Sequence, residues 1–235
     1  MHRTEERWTD AYKERGALWF HDGNPKRPHS LLTSGNHSNG FFNSSIVIED
    51  DQILREAVAD LIELFVEYRK TKALDDIDLI VGPQTGPTKD VGAAKMARFL
   101  SERINELGGD LLYCDWAAPE KATEDGKNIL RFNGGVHGSV ASLDRVIPCD
   151  DVLTTGGSVV KLYNAIHSRS GRLSDAVLIL VNRSGLQHVE GKGILALITK
   201  ELPIWTPEEC PLCKEGSVAI HPKVDNNWTL LNAEY

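Results

Sequence analysis

The fold of this chain is decided by the stretch Val146-Ile-Pro-Cys-Asp-Asp-Val-Leu-Thr-Thr-Gly-Gly-Ser158. Its apolar run ends in two acids and then breaks into a small turn rich in hydroxyls and glycine. This pattern predicts a buried strand that leads through an anion-binding turn into a helix. Asp150 and Asp151 are expected at the carboxyl end of that strand, which is where open α/β sheets place their ligands.

The two halves of this stretch suit two different chemical groups. Carboxylates only accept hydrogen bonds, so the acidic pair suits the hydroxyls of a ribose. Glycines let the backbone close on a phosphate at the positive end of a helix. The alternative is a strand, an Asx turn and an N-capped helix that bind nothing. The residues expected to hold the anion are Thr154, Thr155, Gly156, Gly157 and Ser158.

These thirteen residues resemble the motif by which type I phosphoribosyltransferases bind phosphoribosyl diphosphate (PRPP). The family pattern has apolar residues, two acids, an apolar pair and then Thr-Thr-Gly-Gly-Ser or a close variant. Pro148 departs from it. Because proline cannot donate to a strand ladder, we expect a bulge or one unpaired carbonyl at this position.

Composition limits the classes of function. A chain of 235 residues can bury one substantial core, so a single α/β domain is expected. The formal charge of -8 argues against a general nucleic-acid-binding protein. No apolar run is long enough to span a bilayer, and the charged start does not resemble a signal peptide, so a cytoplasmic protein is expected. Four scattered cysteines are expected to be reduced thiols.

Periodicity predicts alternating helices and strands, which is typical of a parallel sheet. A long lid or disordered loop is expected over residues 117–138, because that connection is polar and lacks an apolar pattern. The predicted helices span Thr4 to about Phe20, Asp51 to Lys70, residues 91–107 and Val159 to Ile166. The predicted strands lie within Asp76–Gly82, Leu111–Trp116, Ala176–Arg183 and Ile194–Ile198.

The segment from Leu31 to Ile48 contains two strand-like runs around a polar turn, which predicts a hairpin. Its Leu-x-Ser-Gly followed by paired aromatics resembles the start of the substrate-covering hood in orotate phosphoribosyltransferases. Thr33 stands where many of them have lysine, but the run Thr33 to Ser38 is similar to a bacterial branch of that family. Phe41 and Phe42 are equally compatible with a flat wall for a pyrimidine ring and with core packing.

A second turn follows the strand before residue 82. By its position the turn resembles the family's diphosphate-binding loop, in which backbone N–H groups face the leaving group. On its own the turn is a weak indication, since glycine and proline form turns everywhere. Many orotate enzymes have a lysine in this loop; here the nearest is Lys89, beyond the turn. The residues assigned to PRPP here are Gly82, Pro83, Gln84, Thr85 and Gly86.

The resemblance also assigns three cations and a metal. In the family, the loop corresponding to residues 117–138 brings a catalytic lysine to the diphosphate, which makes Lys121 the candidate and Arg131 its support. Without the PRPP motif, a solvated charged loop is the simpler interpretation. Arg183 matches an arginine that grips the orotate carboxylate, although a plain surface charge is the alternative. Mg²⁺ is expected to arrive on the diphosphate.

The tail carries Cys210-Pro-Leu-Cys213. A structural zinc site needs four ligands, and only His221 is nearby in sequence, so these cysteines are weak zinc candidates. The resemblance includes this motif, since the same bacterial branch has Cys-Pro-Leu-Cys near its end.

Together these features predict a type I phosphoribosyltransferase (Rossmann-like) fold over residues 1–235. The core is expected at about 45–200, with a hood built from 20–44 and 201–235. The implied reaction is PRPP plus orotate giving orotidine 5'-phosphate and diphosphate in pyrimidine biosynthesis. Asp150, Asp151 and Lys121 would be catalytic, and Thr154 would approach the base or ribose. Alternatives are transfer to another purine or pyrimidine base, or a PRPP-sensing regulator without turnover. The family also implies a homodimer.

Overall fold

The structure is a computed structural model, and it describes residues 2–72, 77–86, 88, 90–108, 114–133, 140–141 and 144–235. The chain forms two compact units. The first comprises Met1–Trp8 and Ser44–Lys200, and the second comprises Thr9–Asn43 and Glu201–Tyr235. The second unit therefore joins a segment near the start of the chain to its last 35 residues.

Helices and strands alternate only in part, because runs of up to four consecutive strands interrupt the predicted alternation in the described chain. The helices are α1 (Glu5–Glu14), α2 (Ser44–Glu49), α3 (Asp51–Lys72), α4 (Gly92–Leu107), α5 (Gly157–His167), α6 (Pro211–Lys214) and α7 (Asn227–Asn232). The strands are β1 (Leu18–Phe20), β2 (His29–Leu31), β3 (His37–Ser38), β4 (Gly40–Phe42), β5 (Leu79–Val81), β6 (Asp115–Ala117), β7 (Glu120–Glu124), β8 (Lys127–Arg131), β9 (Arg145–Leu153), β10 (Arg172–Leu173), β11 (Ala176–Asn182), β12 (His188–Val189), β13 (Lys192–Thr199) and β14 (Ala219–Ile220).

The first unit is built on a mostly parallel sheet of order β12-β13-β11-β9-β5-β6, with β10 beside β9. Only the β12–β13 pair among these described strands is antiparallel. All seven residues of β11 are buried, as expected for a parallel strand covered on both faces. The predicted α/β architecture with a central parallel sheet is confirmed.

Helices cover both faces of this sheet. Val146 of β9 shares one hydrophobic cluster with Leu162 and Ile166 of α5. Cys149, three residues later and therefore on the opposite face, places its Sγ 3.7 Å from the Ala93 carbonyl of α4. The acidic pair that follows is thus held at the centre of the sheet, between two helical layers.

The strand β9 runs through Pro148 without a change of register. Val146, Ile147 and Pro148 pair with consecutive residues of β5, and from Cys149 onward the strand pairs with β11 at a constant offset. Of the two alternatives expected at Pro148, the bulge is therefore wrong, and the unpaired carbonyl stays a prediction. Pro148 forms the last residue pair between β9 and β5. The residue that follows β5, Gly82, donates its N–H to the Ala117 carbonyl at the end of β6.

The polar connection after β6 is a hairpin over much of its length, so the disordered-loop alternative is wrong there, while the lid stays a prediction. β7 and β8 pair antiparallel from Glu120↔Arg131 to Glu124↔Lys127. Asp125 and Gly126 join them with φ values of 49° and 73°. Positive φ at both positions is the requirement of a tight hairpin turn, and Asp-Gly is a preferred sequence for it.

The expected hairpin from Leu31 to Ile48 is correct only in its first part. Leu31 and His37 pair antiparallel between β2 and β3, but β4 ends at Phe42 and the helix α2 follows. In α2 the buried side chains are Ser44, Val47 and Ile48, which share one helical face. Packing of that face outweighs the strand preference of its β-branched residues.

The second unit contains its own small sheets. β1 pairs antiparallel with β4, and β14 pairs parallel with β2 beside β3. The opening helix stops at Glu14, shorter than predicted, and Gly16 has a φ of 61° just before β1. A left-handed residue of this kind ends a helix because the chain cannot continue its hydrogen bonds.

Two sequence expectations lie outside the described residues: the start of the strand expected at Leu111, and Lys89 beyond the glycine turn. Residues 134–139 of the expected lid also lie outside them. Among the helices of the described parts of the chain, none combines the length and apolar character needed to cross a membrane.

Candidate active site

The turn between β9 and α5 has the shape of an anion site. Gly156 precedes the helix with a φ of 79°, and α5 begins at Gly157. The first N–H groups of any α-helix lack intrahelical partners, so the backbone here presents donors at the positive end of the dipole. Thr154 is half-buried, and Thr155 and Ser158 are exposed around this turn. The structure thus brings together all five residues that the sequence assigned to a phosphate.

Asp150 is the buried member of the acidic pair, at 3% exposure. Its carboxylate accepts a hydrogen bond of 2.6 Å from the Ser158 hydroxyl and one of 3.0 Å from the Asp151 N–H. Burial and, after it, the neighbouring charge of Asp151 raise the pKa of Asp150, and the Ser158 hydrogen bond lowers it; together they place this pKa at about 7. The site therefore holds a carboxyl group poised to change charge near neutral pH.

A second turn lies at the end of the neighbouring strand β5. An added Cβ at Gly82 would overlap the Ala93 carbonyl of α4, so only glycine permits this close approach. Gln84 donates its side-chain amide to the Gly86 carbonyl at 3.2 Å. Its buried Oε1 has no hydrogen-bond partner in the described part of the chain. Because β5 and β9 are adjacent and parallel, both turns open at the same edge of the sheet.

The β7–β8 hairpin, which carries Lys121, begins beside that second turn. The Gln84 N–H donates to the Pro119 carbonyl at 2.9 Å, and Gln84 forms a parallel bridge with Glu120. Lys121 follows immediately and is exposed, on the opposite face of β7 from Glu120. Arg131 lies on β8, where it forms an ion pair of 2.8 Å with Glu124. The predicted lid lysine is thus anchored next to the predicted diphosphate turn.

Arg183 is buried, at 1% exposure, and directly follows β11. Its N–H donates to the Leu153 carbonyl at the end of β9, which fixes the arginine next to the PRPP-like turn. Burial lowers the pKa of its guanidinium to about 10, so it stays charged at neutral pH. The surface-charge alternative is wrong because the side chain is buried, and a buried guanidinium is costly unless it is paired or hydrogen-bonded.

The two aromatic residues assigned to a base lie in the second unit. Phe42 is 1% exposed and its ring lies edge-on to Tyr12, with 5.6 Å between centroids, so it is a core side chain there. Phe41 is half-buried and tilted against Trp228, with centroids 5.9 Å apart. Of the pair, Phe41 keeps more of its surface available.

Sequence reasoning missed two histidines that lie beside the tail cysteines. His29 and His37 contact Cys210 and Cys213, whereas His221, which was considered as a ligand, is exposed and outside this group. Two histidines eight residues apart in a strand-rich segment were the available indication. They were missed because their partners lie about 180 residues away in the chain.

No protein-family model matches this chain. The orotate phosphoribosyltransferase of Heliobacterium modesticaldum is 34% identical over 194 residues, which cover 83% of this chain and 88% of that protein. The orotate phosphoribosyltransferase of Thermus thermophilus is 30% identical over 207 residues, covering 88% and 94%. The crystal structure of orotate phosphoribosyltransferase from Aeropyrum pernix superposes with a TM-score of 0.57 and 20% identity, over 81% of this chain and 92% of that one.

Proposed function

The chain belongs to the orotate phosphoribosyltransferase family, and we propose that it transfers the 5-phosphoribosyl group of PRPP to orotate, giving orotidine 5'-phosphate and diphosphate. One observation carries this proposal. At the end of β9, a buried carboxylate and the glycine turn of α5 lie next to each other, joined by the Ser158–Asp150 hydrogen bond. This arrangement suits a ribose ring that carries a phosphate.

The PRPP half of the reaction follows from the two turns. Thr155 and the backbone from Gly156 to Ser158 hold the 5'-phosphate, and Thr154 approaches the base or ribose. Asp150 and Asp151 accept hydrogen bonds from the ribose hydroxyls. The turn from Gly82 to Gly86 receives the diphosphate at the same sheet edge. Gripping both ends of PRPP fixes the anomeric carbon, which lowers the entropic part of the barrier.

Departure of diphosphate leaves an oxocarbenium-like ribose and a concentrated negative charge. Mg²⁺ is proposed to enter with PRPP, and when bound to the diphosphate it neutralises this charge. Mg²⁺ prefers oxygen ligands, and the oxygens proposed to bind it are those of the diphosphate and of the partly exposed Asp151 carboxylate. Lys121 supplies a second positive charge to the leaving group, with Arg131 in support.

The proposal that the site binds orotate as the base rests on Arg183. A charged guanidinium at the end of β11 offers a planar pair of donors that matches the carboxylate of orotate. Phe41 and Phe42 are retained as candidates for the pyrimidine ring, although Phe42 is committed to packing. Because the orotate ring nitrogen is readily deprotonated, the reaction needs no strong general base.

The remaining parts of the proposal are a homodimer, a cytoplasmic location and a place in pyrimidine nucleotide biosynthesis. Light scattering on the purified protein measures the oligomeric state, and a monomer at working concentration would overturn that part. The location and the pathway follow from the proposed reaction rather than from any contact in the structure.

The decisive experiment is a base-specificity assay. Purified protein is incubated with Mg²⁺, PRPP and, in parallel, orotate, uracil, adenine or guanine, and the nucleotide products are separated by chromatography. We expect orotidine 5'-phosphate as the main product. Conversion of another base without orotate would assign a different phosphoribosyltransferase activity, and PRPP binding without turnover of any base would assign a sensor.

A further inference from the structure

Four side chains with metal-ligating atoms converge in the second unit. His29 lies on β2, His37 on β3, Cys210 at the N-cap of α6 and Cys213 within α6. One nitrogen or sulfur atom of each lies within 4.8 Å of all the others. His29 and Cys210 are fully buried, His37 is 6% exposed, and Cys213 is half-buried. The group is therefore largely closed to solvent.

Four of the six separations between these atoms are close to the edges of a tetrahedral zinc site, and the other two are within 4.8 Å. Zinc–nitrogen bonds of about 2.0–2.1 Å and zinc–sulfur bonds of about 2.3 Å require edges of about 3.3 Å between nitrogens and about 3.6 Å between nitrogen and sulfur. His29 Nε2 lies 3.1 Å from His37 Nδ1 and 3.5 Å from each cysteine Sγ. His37 Nδ1 lies 3.2 Å from the Cys213 Sγ.

The surroundings of His29 leave the correct ring nitrogen available. The Ser217 hydroxyl donates its only proton to the Arg27 carbonyl at 2.6 Å. Its oxygen lies 2.8 Å from His29 Nδ1 and can therefore only accept a hydrogen bond from that nitrogen. The proton of the neutral ring thus sits on Nδ1, and the lone pair of Nε2 points at the other three groups. Metal-binding histidines are oriented by this kind of outer hydrogen bond.

Hydrogen bonds alone do not account for this geometry. Three groups converge on His29 Nε2, and the single lone pair of an imidazole nitrogen accepts one hydrogen bond well. A cation at the centre would accept electron pairs from all four atoms together.

We propose that His29, His37, Cys210 and Cys213 bind one structural Zn²⁺ ion. Two thiolates and two imidazoles form a standard tetrahedral zinc set, and four protein ligands leave no open position for a substrate. Binding releases the two thiol protons to solvent. The ion ties the strands β2 and β3 to the segment around α6, and it is separate from the residues assigned to PRPP and orotate.

Backbone contacts already bring the two segments together, so the ion closes a prepared site. His37 and Trp205 exchange two hydrogen bonds of 2.8 and 3.0 Å. Ala219 and Ile220 of β14 pair with His29 and Ser30. Because the ligands come from segments about 180 residues apart, they lie close together only in the folded chain, so zinc binding stabilises the folded state.

The first test measures the metal content of the full chain. The protein is purified without chelators and analysed by inductively coupled plasma mass spectrometry. We expect about one zinc per chain in the wild type and less than about a tenth of that in the double variant Cys210→Ser/Cys213→Ser. His221→Gln and Cys114→Ala are the matched controls, since they replace one residue of each type outside the group. Both controls should keep full zinc.

The second test does not depend on whether the variants fold. X-ray absorption of the zinc-loaded wild type should give two sulfur and two nitrogen ligands at about 2.3 and 2.0 Å. Removing the metal with a chelator should lower Tm, and added Zn²⁺ should restore it. Wild-type protein that contains no zinc and takes up none from dialysis would overturn the proposal. So would a Cys210–Cys213 disulfide in its place, or a metal bound through oxygen ligands.

Discussion

The Ser158 hydroxyl donates a hydrogen bond of 2.6 Å to the buried carboxylate of Asp150, across the turn that joins β9 to α5. This contact links the acid assigned to the ribose with the helix end assigned to the phosphate. It also counteracts the burial and the Asp151 charge that raise the pKa of Asp150 to about 7. The charge state of the sugar site is therefore set partly by a residue of the phosphate site.

We predict that PRPP affinity rises as the pH increases through about 7. Ribose hydroxyls donate to the ionised form of Asp150, and that form becomes dominant above the pKa. Ser158→Ala removes a hydrogen bond to the charged form, so the pKa rises and the change in affinity moves to higher pH. Isothermal titration calorimetry between about pH 6 and pH 8.5 measures both midpoints.

Asp150→Asn is the control for this pH dependence, because an amide does not titrate. The phosphate of PRPP also ionises near pH 6. Its effect on affinity is the same in all variants, so the difference between variants reports Asp150 alone. An unchanged midpoint in Ser158→Ala would contradict the linkage. So would a midpoint near pH 7 that survives in Asp150→Asn.

Gly156→Ala should weaken PRPP binding as well as stability. Gly156 has a φ of 79°, and an added Cβ would lie 3.4 Å from Val189. Gly191 has the same φ with nothing within 4 Å, so Gly191→Ala reports backbone strain alone. Both variants should lose about 1 kcal/mol of unfolding free energy in urea titrations. Only Gly156→Ala should raise the Kd for PRPP, by about tenfold. Equal Kd values for the two variants would remove Gly156 from the site.

Lys121→Ala should reduce turnover far more than PRPP affinity. The exposed side chain is expected to meet the diphosphate as charge develops in the transition state, so kcat should fall by about 10²–10³-fold. Lys127→Ala is the matched control on the other strand of the hairpin, where Lys127 pairs with Glu124. Steady-state kinetics and PRPP titration separate the two effects. A normal rate in Lys121→Ala together with a reduced rate in Lys127→Ala would transfer the role to Lys127, and normal rates in both variants would transfer it to Arg131.

Arg183→Lys should raise the KM for orotate by about tenfold, because lysine keeps the charge but loses the paired donors. The KM for PRPP should change much less. Since Arg183 is buried, thermal unfolding of the variant is measured alongside, with the exposed Arg172→Lys as a control. An equal rise in both KM values would indicate damage to the β11 end of the sheet and not a lost orotate contact.

Much of the fold was predictable from local pattern. The alternation of helices and strands, the buried strand β11 and the turn into α5 each follow from a short run of residues. The similar proteins confirm the predicted type I phosphoribosyltransferase fold and the orotate phosphoribosyltransferase family. The errors have local causes as well. The Asp125-Gly126 turn was a readable hairpin motif, and the strand-like residues of α2 are helical because one face of them is buried.

What the sequence determined by itself is the chemistry of single segments: an acidic pair after an apolar strand, a glycine turn, a lysine within a polar connection, and an arginine after a buried strand. Only the tertiary structure decided which groups meet. It joined Ser158 to Asp150, set the start of the Lys121 hairpin beside Gln84, and gathered His29 and His37 around Cys210 and Cys213. The physical reason is that periodicity reports a residue's local environment, whereas burial, pKa and metal geometry depend on atoms that are far apart in the chain and close in space.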